Sequence, residues 1–456
     1  MSEAVQHPKT LRQRDMVLFT VSAILLPDTL ASAAAIGPSS IGWWVLLSLV
    51  FLMPFALISA ELGCSYPEQG GVYAWVRDAF GSRWGSRLTW CYWINTAVWL
   101  PAICTLFAGV LKQLFFPEAG LATQILIAIA ICVMIAGVSC LALDLGKWVP
   151  NIGAIAKFLF FAAIIAGAWW FTRDRAMANP LTLANVAPKL GDSLEYIPAI
   201  VYGMLGFELI SAGSAEMRNP AHDVPRAVLY SGLLVSLLYT LGTVAVLAAI
   251  PQQDINLVEG LIDALRLFFA GPLQTPVVMT LGAALLFAIF ASGATWAIGV
   301  NRAAQQAAQE GELPRVFGVS NARTGAPVGA AVLMGLTSAS MIGVYGLLAG
   351  SNEDLFWSLF AFSGVIFFLP YIGMCLAFLR LRRRDPLHPR PFRVPGGAAV
   401  ATFCGLICFG TLVLSAVLFM VTPGDGPQWP VIIGVVSMLA LGELIVRSAE
   451  SRARED

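Results

Sequence analysis

The sequence predicts an all-α integral membrane protein with twelve transmembrane helices. Of its 456 residues, 58% are hydrophobic and only 12% are charged, and the mean hydropathy is +0.77. A soluble domain of this size needs more charge than that. A membrane-spanning helix takes roughly 20 apolar residues, and stretches of this kind follow one another along the chain. We number them spans 1 to 12, at roughly 16–37, 41–63, 88–115, 121–143, 148–171, 195–215, 227–250, 276–305, 327–349, 354–380, 398–421 and 429–447.

Positive charges divide unevenly between the two sides of this topology. With the N-terminus and the even-numbered loops on one side, that side carries twenty-one Lys and Arg residues and the other side carries five. The remaining cation, Lys157, lies inside span 5. The positive-inside rule therefore places both termini in the cytoplasm. The basic run at 380–384 is interpreted as a topology anchor, with a lipid or regulatory site as the alternative.

No motif indicates enzymatic chemistry. The chain has eight Cys residues but no Cys-x-x-Cys pair, so the thiols are predicted to be packing residues. It has no Gly-rich phosphate loop followed by Lys-Ser/Thr, and no His cluster with metal-ligand spacing. We therefore expect no catalytic residues, no metal, no cofactor and no nucleic-acid partner. A removable signal peptide is not expected either, because the polar N-terminal segment enters span 1 without a small-residue cleavage site.

The first ten spans divide into two groups of five. The predicted segments are a cytoplasmic tail at 1–15, a first five-helix repeat at 16–171, an extracellular linker at 172–194, a second five-helix repeat at 195–380, a basic cytoplasmic loop at 381–397, helices 11 and 12 at 398–447, and a cytoplasmic tail at 448–456. Because five is odd, the second group has the opposite orientation in the membrane, and the two groups can form an inverted repeat.

Spans 1 and 6, which open the two groups, each carry a helix breaker beside an acidic residue. Span 1 contains Pro27 and Asp28, and span 6 contains Gly203 and Gly206 before Glu208. Unwound backbone inside the membrane is tolerated only where it lines a cavity, and there it offers N–H and C=O groups to a ligand. The two breaks therefore predict a transporter whose site lies between spans 1 and 6. A simple proline kink in span 1 is the alternative.

Several motifs along the chain are recognisable as a set. They are 60–75 (AELGCSYPEQGGVYAW), 206–208 (GFE) with 215–220 (AEMRNP) and 224–227 (VPRA), 301–302 (NR), 311–314 (GELP), 324–327 (TGAP) and 390–397 (RPFRVPGG). In this order they resemble the amino acid–polyamine–organocation transporter superfamily. The resemblance implies a LeuT-like 5+5 inverted repeat with broken helices 1 and 6, and transport by alternating access.

Within that superfamily, the chain is most similar to the branch that contains glutamate/γ-aminobutyrate antiporters. The segments 294–299 (ATWAIG) and 251–257 (PQQDINL) carry this similarity. Span 1 departs from the family pattern. Many members bind the amino-acid carboxylate with a Gly-Ser-Gly stretch there, whereas this chain has Pro27, Asp28 and an Ala-Ser-Ala stretch at 31–33.

Lys157 is the residue most informative about coupling. An ammonium near the hydrocarbon core costs several kcal/mol unless it faces a partner or a watery cavity. The resemblance implies that this ammonium occupies the place where sodium-coupled relatives bind a cation, with Ser292 and Thr295 of span 8 as hydroxyl partners. Its role is either proton carrier or fixed strut, and a structural pin is the alternative. Glu208 is the second coupling candidate, as a proton relay or as a packing residue bonded to unwound backbone.

The predicted substrate-binding residues come from the two breaks and from span 3. They are Asp28, Thr29, Ala31, Ser32, Trp93, Tyr202, Gly203, Gly206 and Phe207. Tyr202 is a candidate aromatic gate that closes over an amine or a hydrocarbon chain, and a hydroxyl that anchors backbone is the alternative. Further aromatic and amide groups on span 3 are Tyr92, Asn95 and Trp99, and helix phase decides which of them face the site.

Four other charged residues have two interpretations each. Asp28 either neutralises Lys157 or meets the amine of a cationic substrate, and the buried pair is the favoured interpretation. Glu61, Glu216 and Arg302 lie near the cytoplasmic ends of spans, where they form either gate ion pairs or solvated end charges. Solvated end charges are the favoured interpretation for these three residues.

The sequence thus predicts a secondary active transporter of amino acids in the cytoplasmic (inner or plasma) membrane, working as a proton-coupled symporter or exchanger. A polyamine or cationic amine carrier is the alternative, and a non-transporting membrane sensor or scaffold is the alternative from another class. Protons or a counter-substrate are the expected coupling partners. Sodium is not, because Lys157 would fill the metal position. Membrane lipid surrounds the protein, and a homodimer is one option for its assembly.

Overall fold

The computed structural model describes residues 17, 20–21, 24–66, 71–140, 148–190, 194–207, 220–424 and 426–452. In this part of the chain, ten helices are long and apolar enough to cross a membrane, and they correspond to the predicted spans 2 to 5 and 7 to 12. The protein is therefore a multi-pass helical membrane protein, as predicted. The full count of twelve spans and the inverted repeat stay predictions.

The spans have the following bounds. Span 2 comprises the helix Ser39–Leu47, a π-helical turn at Ser48–Leu52 and the helix Met53–Ser65. Spans 3, 4 and 5 are Ser82–Phe115, Leu121–Ser139 and Trp148–Phe171. Spans 7 to 10 are Pro220–Ala249, Gln274–Gln309, Val328–Gly346 and Asn352–Arg384. Spans 11 and 12 are Gly397–Met420 and Trp429–Arg452, and the short strands Val421–Thr422 and Gly426–Pro427 pair in antiparallel fashion between them.

Two amphipathic helices, Val72–Phe80 and Gly260–Phe268, lie in segments that the sequence analysis treated as plain connections. Each has a buried apolar stripe at helical spacing: Val72, Trp75, Val76 and Ala79 in one, and Leu261, Ile262, Leu265 and Phe268 in the other. Shorter pieces are the α-helical turn Leu183–Val186 and the 3₁₀ turns Leu194–Tyr196, Gln252–Asp254 and Arg315–Gly318.

Spans 3 and 10 form the centre of the described bundle. In their most apolar stretches 89% and 78% of the residues are buried, against 22% in span 12, which faces outward. Span 10 packs along span 3, and span 8 packs against both span 3 and span 5. Side chains of spans 3, 8 and 10 therefore converge on the interior of the protein.

The helix break predicted in span 1 is present, and the helix that opens span 6 ends where its break is predicted. Span 1 is helical at Ile24, loses helical structure at residues 25–26 and resumes as Asp28–Ala35. Pro27 has no N–H and a fixed φ, so it suits the start of the new helix. The first half of span 6 is the short helix Ile197–Tyr202, which gives way to non-helical backbone at 205–206. Glu208 and Glu216 lie outside the described residues.

Candidate functional site

The two helix breaks lie against each other. A Cβ atom added at Gly203 would lie 2.9 Å from the Thr29 side chain, and one added at Gly206 would lie 2.9 Å from the Ile24 side chain. Gly206 also has a φ of +111°, a region that L-residues with side chains rarely adopt. Glycine at 206 is thus required both by the backbone conformation and by the close approach of span 1.

Tyr239 of span 7 satisfies the unwound backbone of span 1. Its hydroxyl accepts a hydrogen bond from the Leu26 N–H at 2.8 Å and donates to the Ile24 carbonyl at 2.9 Å. The ring is fully buried and stacks on Trp44, with centroids 4.9 Å apart. Because an unpaired backbone group in the membrane is costly, this tyrosine makes the break in span 1 energetically acceptable. Tyr239 was not among the predicted site residues, although a hydroxyl within an otherwise apolar span was a signal.

Asp28 is buried beside this break and is only partly hydrogen-bonded. Its residue exposure is 1%, and its Oδ2 accepts a hydrogen bond from the Trp99 indole Nε1 at 3.0 Å. Its other oxygen, Oδ1, is buried without a hydrogen-bond partner. A buried acceptor left unsatisfied costs about 1–3 kcal/mol, and more when it is charged. The structure thus holds a carboxylate oxygen at mid-protein that is ready to accept a hydrogen bond.

A cavity lies next to Trp99, the residue whose indole donates to Asp28. Its lining residues are Ile24, Leu26, Asn95, Thr96, Trp99, Tyr202, Leu205, Trp296 and Phe367. The four aromatic rings contact one another in a chain, with centroid separations of 6.3 Å for Trp99–Trp296, 6.2 Å for Trp296–Phe367 and 4.9 Å for Tyr202–Phe367. Spans 1, 3, 6, 8 and 10 all contribute to the wall, so the cavity lies where the two breaks meet the centre of the bundle.

Lys157 is buried at 4% exposure, and its charge interacts electrostatically with that of Asp28. It lies on span 5 one turn from Gly153, where the helix packs so closely on span 8 that an added Cβ would overlap Ala291. The two predicted hydroxyl partners are on that span-8 helix. Ser292 and Thr295 each donate a hydrogen bond to their own helix, to the carbonyls four residues earlier at 2.7 Å. Their oxygen lone pairs remain available as acceptors.

The other predicted substrate-binding residues occupy different surroundings. Thr29 is fully buried next to Gly203, and its hydroxyl has no hydrogen-bond partner. Ser32 donates to the Asp28 carbonyl at 3.4 Å, and Ala31 and Phe207 are buried in the surrounding core. Trp93 points elsewhere on span 3, because its indole donates to Asn301 Oδ1 at 3.0 Å and its ring packs edge-on against Phe317.

Trp296 and Phe367 contribute to the cavity but were not among the predicted site residues. Trp296 belongs to a quoted family motif, and Phe367 lies in an aromatic stretch of span 10 that looks like ordinary core. Asn95 and Trp99, two of the predicted span-3 candidates, both lie in the cavity wall. Which side chains of a span line the cavity depends on how the packed helices are rotated about their axes, and the sequence does not give that rotation.

A comparison with protein families assigns the chain as a whole. The family model described as amino acid permease matches residues 12–441. The chain belongs to the amino acid permease family. The resemblance to the amino acid–polyamine–organocation superfamily is thereby confirmed, and this permease is a transporter by descent.

Individual relatives share about a quarter to a third of their residues with the permease. A probable agmatine/putrescine antiporter of Lactococcus lactis is 30% identical over 94% of this chain and 93% of its own. An uncharacterized transporter of Legionella pneumophila is 31% identical over 88% of each chain. A probable polyamine transporter of Arabidopsis thaliana is 25% identical over 82% of this chain and 73% of its own.

Glu61 does not have the solvated position that the sequence analysis favoured. It is 1% exposed at the end of span 2, and its Oε1 accepts from Arg382 Nε at 2.8 Å and lies 3.4 Å from Arg390 Nε. Its Oε2 accepts from the Val394 N–H at 2.7 Å. The expectation was wrong because the basic segment after span 10 folds back over the end of span 2. Arg382, in the run read as a topology anchor, therefore also has a structural partner.

Tyr73 and Glu312 form a second contact at this end of the permease. The Tyr73 hydroxyl donates to Glu312 Oε1 and joins the helix 72–80 to the segment that follows span 8. Burial raises the pKa of the Glu312 carboxyl, and the Tyr73 hydrogen bond opposes that rise. Burial also raises the pKa of Tyr73, so the phenol stays a neutral donor.

The titratable side chains of the described residues include no group of three or more His, Cys, Asp or Glu that could hold a metal ion. Within the described residues, the candidate site comprises the Asp28 carboxylate, the Lys157 ammonium, neutral polar groups and aromatic rings.

Proposed function

We propose that this permease exchanges small cationic amines, of the class to which putrescine and agmatine belong, across the cytoplasmic membrane. Three relatives, from Lactococcus lactis, Arabidopsis thaliana and Oryza sativa, are named for polyamines or for agmatine and putrescine. They support the cationic-amine alternative more than transport of amino acids. The single observation that carries the proposal is the buried Asp28, whose Oδ1 has no hydrogen-bond partner and whose Oδ2 bonds Trp99 in the wall of an aromatic cavity.

A protonated amine complements Asp28 in charge and in hydrogen bonding. It brings several N–H donors, and a hydrogen bond between charged groups is roughly twice as strong as a neutral one. An amino acid brings its own carboxylate as well, and two like charges repel strongly at short distance in a poorly solvated site. Asp28 therefore favours a substrate that is cationic overall.

The aromatic wall suits the rest of such a substrate. Trp99, Trp296, Tyr202 and Phe367 offer ring faces to a hydrocarbon chain and to a second cationic group. Cation–π contacts contribute about 0.5–1 kcal/mol at exposed sites and about 2 kcal/mol or more where water is excluded. Tyr202 and Phe367 come from spans 6 and 10, so closing of these rings over a bound amine is part of the proposal.

Coupling is proposed to act through Lys157. Asp28 and Lys157 interact electrostatically, so a cationic substrate competes with the ammonium for the same carboxylate. Release of a proton from Lys157, or exchange for an outgoing amine, would relieve that competition. Glu208, which lies outside the described residues, remains a proposed proton relay. Sodium has no role in this scheme, because Lys157 is proposed to occupy the cation position next to Ser292 and Thr295.

Alternating access is proposed to proceed around the two breaks, with both termini in the cytoplasm and the two groups of five spans forming an inverted repeat. The contact between Gly203 and Thr29 and that between Gly206 and Ile24 support this scheme, because they bring the unwound segments of spans 1 and 6 together. A non-transporting sensor with the same fold would bind the amine without moving it.

Counterflow in proteoliposomes tests the proposal. Vesicles loaded with unlabelled putrescine should accumulate external labelled putrescine or agmatine, and empty liposomes should not. Glutamate, γ-aminobutyrate and leucine should compete poorly. Robust exchange of these amino acids without exchange of any amine would overturn the substrate assignment. Replacing sodium with choline should leave the rate unchanged, and a strict sodium requirement would refute the role given to Lys157.

A further inference from the structure

Asn95 of span 3 lies in the cavity wall with an amide oxygen that has no partner. The residue is 3% exposed, it lines the cavity, and its Oδ1 accepts no hydrogen bond. Asn301 on span 8 is buried as well but is satisfied at both ends. Its Oδ1 accepts from Trp93 at 3.0 Å, and its Nδ2 donates to the Met334 sulfur at 3.6 Å. Buried polar groups are normally hydrogen-bonded, and one that is not needs an explanation.

The position of Asn95 relative to Asp28 suggests that explanation. Asn95 and Trp99 are four residues apart on span 3, so they share one helix face and are about 6 Å apart along the axis. The Trp99 indole is the group that bonds Asp28. Asp28 Oδ1 and Asn95 Oδ1 are thus both acceptors without partners; Trp99 bonds the carboxylate of one, and the other lies one helical turn from Trp99 in the cavity wall.

We propose that Asn95 binds the second nitrogen of a two-ended amine whose first nitrogen binds Asp28, so that the permease selects its substrate by the distance between two nitrogens. This inference rests on the proposed amine transport and names the residue that sets its specificity. An amide oxygen accepts N–H donors without adding a second negative charge to the protein interior. The methylene chain of the amine contacts Trp99 and Trp296, the two indole rings of the cavity wall.

Ligand-induced thermal stabilisation of the purified permease measures this selection. Ligands that bind only the folded state raise the free energy of unfolding by RT ln(1 + [L]/Kd), so the concentration dependence of the Tm yields an apparent Kd. Putrescine should bind the wild-type protein about tenfold or more tightly than n-butylamine, which has the same chain and one nitrogen. A hydrogen bond to a charged group accounts for a ratio of that size.

Asn95→Leu should abolish the preference for putrescine and leave the binding of n-butylamine within about twofold of wild type. Asp28→Asn should weaken both ligands. Asn301→Leu is the matched control, since it removes a satisfied buried amide. It should lower the Tm of the free protein while the putrescine to n-butylamine ratio stays unchanged.

Asn95→Gln provides a second, directional variant. Its side chain is one methylene longer and carries the amide further into the cavity. The optimum in the series 1,3-diaminopropane, putrescine and cadaverine should therefore move toward the shorter diamine. A shift in that direction supports the inference, and an unchanged series contradicts it.

The results separate this inference from the function on which it rests. If Asn95→Leu weakens putrescine and n-butylamine equally, or weakens neither, the role of Asn95 is refuted while amine binding stands. If neither amine stabilises the wild-type permease, the proposed function fails and this inference fails with it.

Discussion

Asp28 and Glu61 are both carboxylates buried in apolar helices, each 1% exposed, yet their bonding differs. Glu61 uses both oxygens: one accepts from Arg382 and lies close to Arg390, and the other accepts from a backbone N–H. Asp28 has a hydrogen bond from Trp99 to one oxygen, and its other oxygen has no partner. The first acid joins span 2 to the segment after span 10, and the second bonds a residue of the cavity wall.

The difference teaches that burial alone does not identify a functional carboxylate. A buried charge surrounded by partners is part of the structure, and removing one member of such a group leaves the others uncompensated. A buried charge with an unused oxygen costs free energy in the resting protein. That cost is offset when a ligand supplies the missing donor, so the unsatisfied acid marks the site.

The largest expected effect on folding follows substitution of the satisfied acid. Glu61→Gln should lower the free energy of unfolding by about 3–5 kcal/mol, because Arg382 and Arg390 lose their counter-charge in a buried position. The Tm of the purified permease measures this loss. Glu310→Gln, at an exposed glutamate, is the matched control and should change little. A Tm of Glu61→Gln equal to wild type would contradict the structural role.

Substitution of Asp28, the unsatisfied acid, should reduce substrate binding much more than it reduces stability. Asp28→Asn should weaken putrescine binding by about 2–5 kcal/mol, or some 30-fold and upward, because a buried charged partner is lost. The Tm of the free protein should fall far less than in Glu61→Gln. Binding from thermal stabilisation and counterflow in proteoliposomes give the two readouts. Equal affinity for putrescine in Asp28→Asn and wild type would show that Asp28 does not meet the substrate.

A double mutant separates substrate binding by Asp28 from neutralisation of Lys157. If neutralisation dominates, Asp28→Asn should destabilise the free protein, and adding Lys157→Met should restore the Tm, because removing both charges of a buried pair costs much less than removing one. If substrate binding dominates, the second substitution should leave the Tm of Asp28→Asn nearly unchanged.

Lys157→Ala alone should reduce transport to background or uncouple it from pH, and unaltered transport would refute its coupling role.

The elements of this fold that depend on local chemistry could be predicted from sequence. Long apolar stretches predict spans because lipid requires them, and Pro27 with Gly203 and Gly206 predicts the breaks because these residues limit or free the backbone. The two amphipathic connecting helices could also be predicted, because the apolar residues around Trp75 and Leu265 recur at helical spacing.

The bonding of the charged groups could not be predicted, because it depends on contacts between distant parts of the chain. Glu61 and Arg382 are 321 residues apart, and Tyr239 meets the Leu26 backbone from a distance of 213 residues. In the sequence, Asp28 and Glu61 are simply two acids in apolar surroundings. Only the packed structure distinguishes the oxygen that has partners from the oxygen that has none.

The smallest expected effect concerns a partly buried acid, Glu312, which lies between these two extremes. Burial gives its carboxyl a higher pKa in the folded permease than in the unfolded chain. The contribution of Glu312 to stability is therefore fully present below the unfolded pKa, near pH 4, and is lost as the pH rises through the folded pKa.

The Tyr73 hydroxyl limits that loss by bonding the ionised Glu312 carboxylate. Tyr73→Phe should then lower the Tm more at pH 7 than at about pH 3, where Glu312 is protonated in both states. Tyr230→Phe, at a tyrosine that is 52% exposed, should show no such pH dependence. A Tm difference for Tyr73→Phe that stays constant between the two pH values would mean that its hydroxyl does not stabilise the ionised form of Glu312.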